Sequence, residues 1–423
     1  MALKRNLALM GSTLAIRLGA GLLTLAVLAR ILGPESFGVL MFGISVGSMA
    51  ALGVGFGLVP YVLKEGSATP GSLKRMIDES LTGMLLLAGL VLAVAALVGI
   101  TVSVGPAGLI VMLIAALLAD AISEMLNAAL RSRDRFDVET KTTAIGSVFH
   151  TLVLCGVASF TKSLEWVALA FLISRMTVLM MVFTSVSIYV ERPVLTSVAA
   201  ALKRLKLAKA YAMDSTLQGS FGQVDSLVLN WFLGPAAVGI YQAGMRLFQS
   251  GAQVATVLSN VFLPRMSRSS LSASERDVEA RKLLAVFLFV GTAFGLFLAV
   301  FSESIVLSVF GPKYAELISH LPLFGLLFFL RFGAGAWGIL LTAVGQQGFR
   351  VVCSVVFWSL VLAASYWLVP AFGVDGWLIA LSASTFLLIV VYAIRSSRYF
   401  GITALQIFCP AFGALLFVPL IWR

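Results

Sequence analysis

The segment "ARILGPESFGVL", residues 29–40, returns as "NWFLGPAAVGIY" at residues 230–241, an offset of 201. At that offset residues 27–46 and 228–247 share seven identities: Val27 with Val228, Leu28 with Leu229, Leu32 with Leu233, Gly33 with Gly234, Pro34 with Pro235, Gly38 with Gly239 and Gly43 with Gly244. Each copy lies between two long apolar runs. Gly ends one helix in a conformation other residues resist, and Pro suits the first turn of the next, so each copy reads as a tight reversal of two helices. Gly33, Pro34, Gly234 and Pro235 are therefore expected to serve packing and hinging rather than ligand contact.

The composition says what those helices cross. Of 423 residues 60% are apolar and only 12% charged, against about 25% charged in a soluble domain. Apolar runs of about 20 residues recur, each long enough to cross a hydrocarbon core about 30 Å thick. The two-residue alternation of a membrane barrel is absent. We place spans at 7–32, 36–62, 81–103, 106–130, 141–160, 166–189, 210–232, 236–263, 283–302, 319–343, 351–370 and 375–394. A further stretch, 403–422, is a candidate thirteenth. Lys4 and Arg5 precede a run too long for a signal peptide, which reads instead as the first span. Cys155, Cys353 and Cys409 lie inside apolar runs and read as small core residues.

The net charge of +11 does not point to nucleic acid, because its placement follows the membrane. Loops on the side of the N-terminus hold 22 Lys and Arg; those opposite hold Lys162 and Lys313 alone. The positive-inside rule puts the N-terminus in the cytoplasm. Leu195, Val198, Leu202 and Leu205, interleaved with Lys203, Arg204, Lys206 and Lys209, predict an amphipathic helix on the inner membrane face. The fold expected is all-α and polytopic: an N-terminal lobe over 1–190, this linker over 191–209, a C-terminal lobe over 210–395 and an additional segment over 396–423. Both repeats start from the same side, so the lobes are parallel; two such bundles around a central site form a transporter architecture.

Charges inside spans are costly and mark function or pairing. Arg17, Arg175, Arg246 and Arg331 fall deep in spans, and Arg30 nearer an outer end where it can snorkel. Asp120, Glu124 and Asn127 share one helix face that continues to Arg131; Asp214, Gln218 and Asp225 share another. Asp225 and Arg246 are placed as an ion pair or as part of a cavity. No local acid is evident for Arg17, Arg175 or Arg331, so these are expected to line a cationic cavity. Guanidinium forks suit diphosphate. His150 and His320 are isolated and read as core or interface residues. No metal site is suggested, and no HExxH, GxSxG, Walker A or DxD pattern is read as supporting a protease, esterase, ATPase or metal-dependent glycosyltransferase.

"LARILGPESFGVL" after "AIRLGAGLL", then "QVDSLVLNWFLGPAAVGIYQAGMRL" and "VFLPRMSRS", resemble the polysaccharide and oligosaccharide flippases. These are Wzx-type members of the MOP superfamily, which also holds the multidrug extruders (MATE) and lipid II flippases. The resemblance implies two six-helix lobes forming a V-shaped cavity, alternating access, and an undecaprenyl-diphosphate-linked oligosaccharide as cargo, as in O-antigen assembly. It carries over to Arg17, Arg30 and Arg246 as cavity arginines and to Asp225 as a recurrent acid. It also implies a non-enzymatic inner-membrane protein without cofactor, a Na+ or H+ coupling ion, and as partners membrane lipids, a polysaccharide polymerase and a chain-length regulator. The rivals are a multidrug or cation antiporter of the same fold, a lipid II-type flippase, and a membrane-embedded glycan-transferring enzyme.

Overall fold

The computed structural model describes residues 2–102, 107–220, 222–266, 272–401 and 413–421, without the side chains of Arg17, Asp214 and Gln218. Every described element is helical. The chain separates into unit 1, Met1–Asn230, and unit 2, Trp231–Arg423. In hydrocarbon a helix satisfies its own backbone groups, which is why apolar runs of this length become helices. Eight described helices are long and apolar enough to cross a membrane, and two of these, Gly19–Ala68 and Gln347–Ser396, hold two spans each.

Unit 1 contains α1 (Ala2–Gly55), α2 (Leu58–Ala68), α3 (Leu73–Val102), α4 (Ala107–Ser132), α5 (Phe136–Thr161), α6 (Leu164–Tyr189), α7 (Val198–Ser220) and most of α8 (Val224–Leu233). Unit 2 contains α9 (Pro235–Met266), α10 (Ala273–Val300), α11 (Ser302–Val309), α12 (Leu317–Ala343), α13 (Gln347–Ser396) and the short α14 (Val418–Ile421). The twelve expected spans fall on these helices. The seventh is interrupted between α7 and α8, and the second between α1 and α2.

The repeated turn takes one backbone form. Gly33 has φ 81° and ψ 171°, breaking α1 into two arms, and Gly234 has φ 82° between α8 and α9. That region of φ is open to glycine and strained for other residues. The packing behind the turns repeats too. Gly43 lies against Leu113 of α4, and its counterpart Gly244 against the Phe324 ring of α12. Thus α4 and α12 occupy equivalent places, each at the centre of its unit, α4 against α1 and α6 and α12 against α10, α13 and α9.

The linker is helical from Val198. Residues 198–209 run without a break into the seventh span as α7, and of the apolar stripe only Leu205 is buried; Leu195, Val198 and Leu202 are exposed. Ala201, Leu205, Ala208 and Ala212 form the buried face instead. Polar groups of α3 hold the segment: Asp78 Oδ1 accepts from Val194 N at 2.9 Å and Thr82 Oγ1 from Thr196 N at 3.0 Å. Arg204 donates to Glu79 Oε2 at 2.7 Å and to the Tyr61 hydroxyl at 2.6 Å. Burial pushes the Glu79 carboxyl up, but hydrogen bonds and charge from Arg75 and Arg204 outweigh it and hold it below the usual range. This segment packs within unit 1, which extends to Asn230.

A second glycine is fixed by packing. Phe56 and Gly57 adopt φ 44° and 63° between α1 and α2, and a Cβ on Gly57 would lie 2.3 Å from the Tyr211 carbonyl carbon of α7. Backbone cannot yield as a side chain can, so Gly57→Ala is expected to destabilise unit 1 by about 2 kcal/mol or more. Thermal unfolding of the detergent-purified variant measures it; an unchanged midpoint would refute the close contact.

The described part of the C-terminal segment belongs to unit 2, with Phe417 buried against Phe329 of α12 at 5.9 Å between rings. Most of the expected span over 403–422, with Cys409, lies outside the described residues. Cys155 and Cys353 are free thiols.

Candidate functional site

In unit 1 the two acids of α4, Asp120 and Glu124, line one cavity of about 290 Å³, whose walls also include Ser48, Ser215, Gly57 and Pro60. The break between α1 and α2 makes room for it. Neither carboxylate stands alone. Asp120 Oδ1 accepts from Arg175 Nη1 of α6 at 2.9 Å, both side chains about one quarter exposed. The guanidinium also lies over the Phe171 ring at 5.3 Å. Arg175 was expected to lack an acid partner; it has one, 55 residues away in sequence and brought close by the packing of α4 on α6. Glu124 pairs at 3.3 Å with Arg131, as their shared helix face predicts, and Arg131 binds Glu139 more tightly at 2.6 Å. His150 is hydrogen-bonded to Ser174 at 2.7 Å, an interhelical tie as anticipated.

Other candidates are scattered along the chain. Arg30 is exposed, three residues before the Gly33 turn. Asp225 is buried in the first turn of α8, where Oδ1 accepts from Ser226 N at 2.8 Å. Arg246, in α9, donates to Gln249 at 2.9 Å. The side chains of Arg17, Asp214 and Gln218 lie outside the described residues, so their grouping rests on the sequence. His320 pairs with Asp375 at 2.7 Å, tying α12 to the part of α13 beyond its Gly373 kink.

Arg331 is different in kind. From His320 to Leu341 nearly every residue of α12 is buried, yet Arg331, near the middle, is exposed. Its guanidinium lies over the Phe357 ring at 5.4 Å. An arginine facing hydrocarbon at mid-span is strongly disfavoured, which makes this exposed side chain a candidate for contact with a polar cargo. Arg331 is the fifteenth residue of α12 and Asp120 the fourteenth of α4, so the two central helices carry opposite charges at equivalent depth.

The sequence does hold one GxSxG pattern, contrary to the reading above. Gly43-Ile44-Ser45-Val46-Gly47 has the letters of a nucleophile elbow, but it lies inside a helix with Ser45 buried, without the strand-to-helix turn that exposes such a serine. The glycines serve packing: a Cβ on Gly47 would sit 3.2 Å from Ile114 Cα. Among the described residues no group of His, Cys, Asp or Glu is arranged to hold a metal ion.

Two helical units with a repeated turn and charged central spans define an all-α polytopic membrane protein of the MATE-like transporter fold. Similar folds are those of a multidrug resistance MATE family transporter of the MOP superfamily in its inward-facing conformation and of the lipid II flippase MurJ in its inward closed conformation. The first superposes with a TM-score of 0.71 at 15% identity, covering 92% of this chain and 98% of that one. The second gives 0.73 at 13% identity, covering 97% and 91%. A capsular polysaccharide biosynthesis protein, CapF of Staphylococcus aureus, is 26% identical over 196 residues, 45% of this chain and 48% of that protein. The match thus spans about half the length of this curated relative. The chain belongs to the polysaccharide biosynthesis protein family, whose model it matches over residues 27–319.

Proposed function

We propose that the protein is a flippase that moves a lipid-linked oligosaccharide across the cytoplasmic membrane of a bacterium by alternating access. Membership of a polysaccharide biosynthesis family supports a glycan cargo, and the likeness of fold to MATE transporters and to a lipid II flippase supports translocation rather than bond-making. The single observation carrying the reading is Arg331, a mid-span charge in unit 2 whose side chain is exposed. An uncovered guanidinium in a place of low dielectric is an anion site, and the diphosphate joining an undecaprenyl carrier to its sugars is the matching anion. The apolar tail stays in the bilayer while the head crosses. The basic side of the membrane, with the N-terminus, is the cytoplasmic side.

A cationic cargo fits less well. A multidrug or cation antiporter needs acids free to bind, whereas Asp120 is neutralised by Arg175 and Glu124 is paired with Arg131. A gradient of Na+ or H+, or consumption of glycan by a polymerase and chain-length regulator outside, drives the cycle in this reading. Removing the protein from its host is expected to trap lipid-linked repeat units on the cytoplasmic face, protected from an impermeant sugar-directed label in spheroplasts. Labelling equal to that of the wild type would contradict the proposal.

A further inference from the structure

A second guanidinium stands in line with Arg331. Thr342 is eleven residues further along α12, three turns on and within about 20° of the same face, which places it about 16 Å along the helix toward the basic membrane side. There Arg350, in the first turns of α13, reaches back onto α12 and donates to the Thr342 hydroxyl. Its head group rests against Gly338, where an added Cβ would lie 3.3 Å from Nη2. The buried Tyr392 hydroxyl is within hydrogen-bonding reach of the same guanidinium. Beside it Arg395 donates to Gln346 Oε1 at 2.8 and 3.2 Å and lies over the Phe349 ring at 5.4 Å.

The partners of these two arginines are neutral, and among the described residues no carboxylate pairs with either. Arg350 Nε is buried without a hydrogen-bond partner. A buried charged donor left open costs free energy that a bound anion repays. Positive-inside bias accounts for arginines at this end of a span, but not for one turned inward against a bare glycine with a donor unfilled.

We propose that Arg350, framed by Thr342 and Tyr392 with Arg395 alongside, is the cytoplasmic capture site on unit 2 for the diphosphate of the lipid-linked cargo, one step before Arg331; this rests on the flippase reading above. The fork of Arg350 takes the phosphate oxygens, and the neutral surroundings let the anion leave toward the deeper arginine.

The test titrates the purified full chain in phosphatidylcholine nanodiscs with farnesyl diphosphate, farnesol and phosphatidylglycerol as separate arms, following binding by microscale thermophoresis. Wild type is expected to bind farnesyl diphosphate and not farnesol. Arg350→Gln is expected to weaken that binding roughly 10-fold or more. Arg350→Lys, which keeps the charge but loses the fork, should weaken it less, and it carries the test if the glutamine variant does not fold. Equal affinity in wild type and variants would overturn the capture site and leave the flippase reading intact. Failure of wild type to bind the diphosphate would overturn both, and preference for phosphatidylglycerol would mark a structural phospholipid site and overturn cargo capture.

Discussion

Arg331→Ala is expected to abolish surface glycan while leaving the protein in the membrane at wild-type level. The two halves of that statement have separate causes. Transport fails because the mid-span exposed charge of α12 is removed, and the anionic head group then crosses the low-dielectric region uncompensated. Folding survives because an exposed side chain leaves no cavity, and the lost contact with Phe357 is worth about 1 kcal/mol. Arg331→Lys restores the charge without the planar fork and is expected to recover part of the output. Immunoblots of membrane fractions beside a blot of surface polysaccharide measure both quantities. Normal glycan in the alanine variant would remove the cationic path from the account.

Asp120→Ala is expected to have the second largest effect, and for the opposite reason. It leaves Arg175 within the membrane without its carboxylate partner, costing on the order of 3 kcal/mol, so the protein level falls along with transport. Arg175→Ala strands Asp120 in the same way. Because the charges cancel in the pair, the double variant Asp120→Ala with Arg175→Ala is expected to regain membrane level, with a coupling of about 2 kcal/mol in thermal unfolding of the purified proteins. Strictly additive losses would show that the pair at 2.9 Å does not hold α4 to α6.

Much of the fold is legible in the letters because the membrane leaves the chain few choices. Runs such as 166–189 are helices since no other backbone satisfies itself in hydrocarbon, and Gly33 and Gly234 share a positive φ because "LGP" encodes that turn twice. The depth of Arg331 is likewise readable by counting along its run. Which way a helix faces is much less so. Arg175 looks unpaired until α4 packs on α6, and the apolar stripe of 195–205 does not single out Ala201 and Ala208, which are buried. Gly57 sits in no turn motif of the sequence; its φ of 63° and the backbone of α7 against it explain the glycine. Arg350 reads as an ordinary basic residue at the end of a span, and only its contact with Thr342 and Gly338 singles it out.

The central claim, translocation of a diphosphate-linked lipid through a path that requires Arg331, is tested most directly in proteoliposomes. These carry the purified full chain and a fluorescent polyprenyl-diphosphate-linked saccharide, and an impermeant reductant then bleaches whatever faces outward. Wild type is expected to render the inner-leaflet pool bleachable, while Arg331→Ala matches protein-free liposomes. Protection of the inner pool in wild type as in empty liposomes, or equal bleaching in wild type and Arg331→Ala, would contradict it.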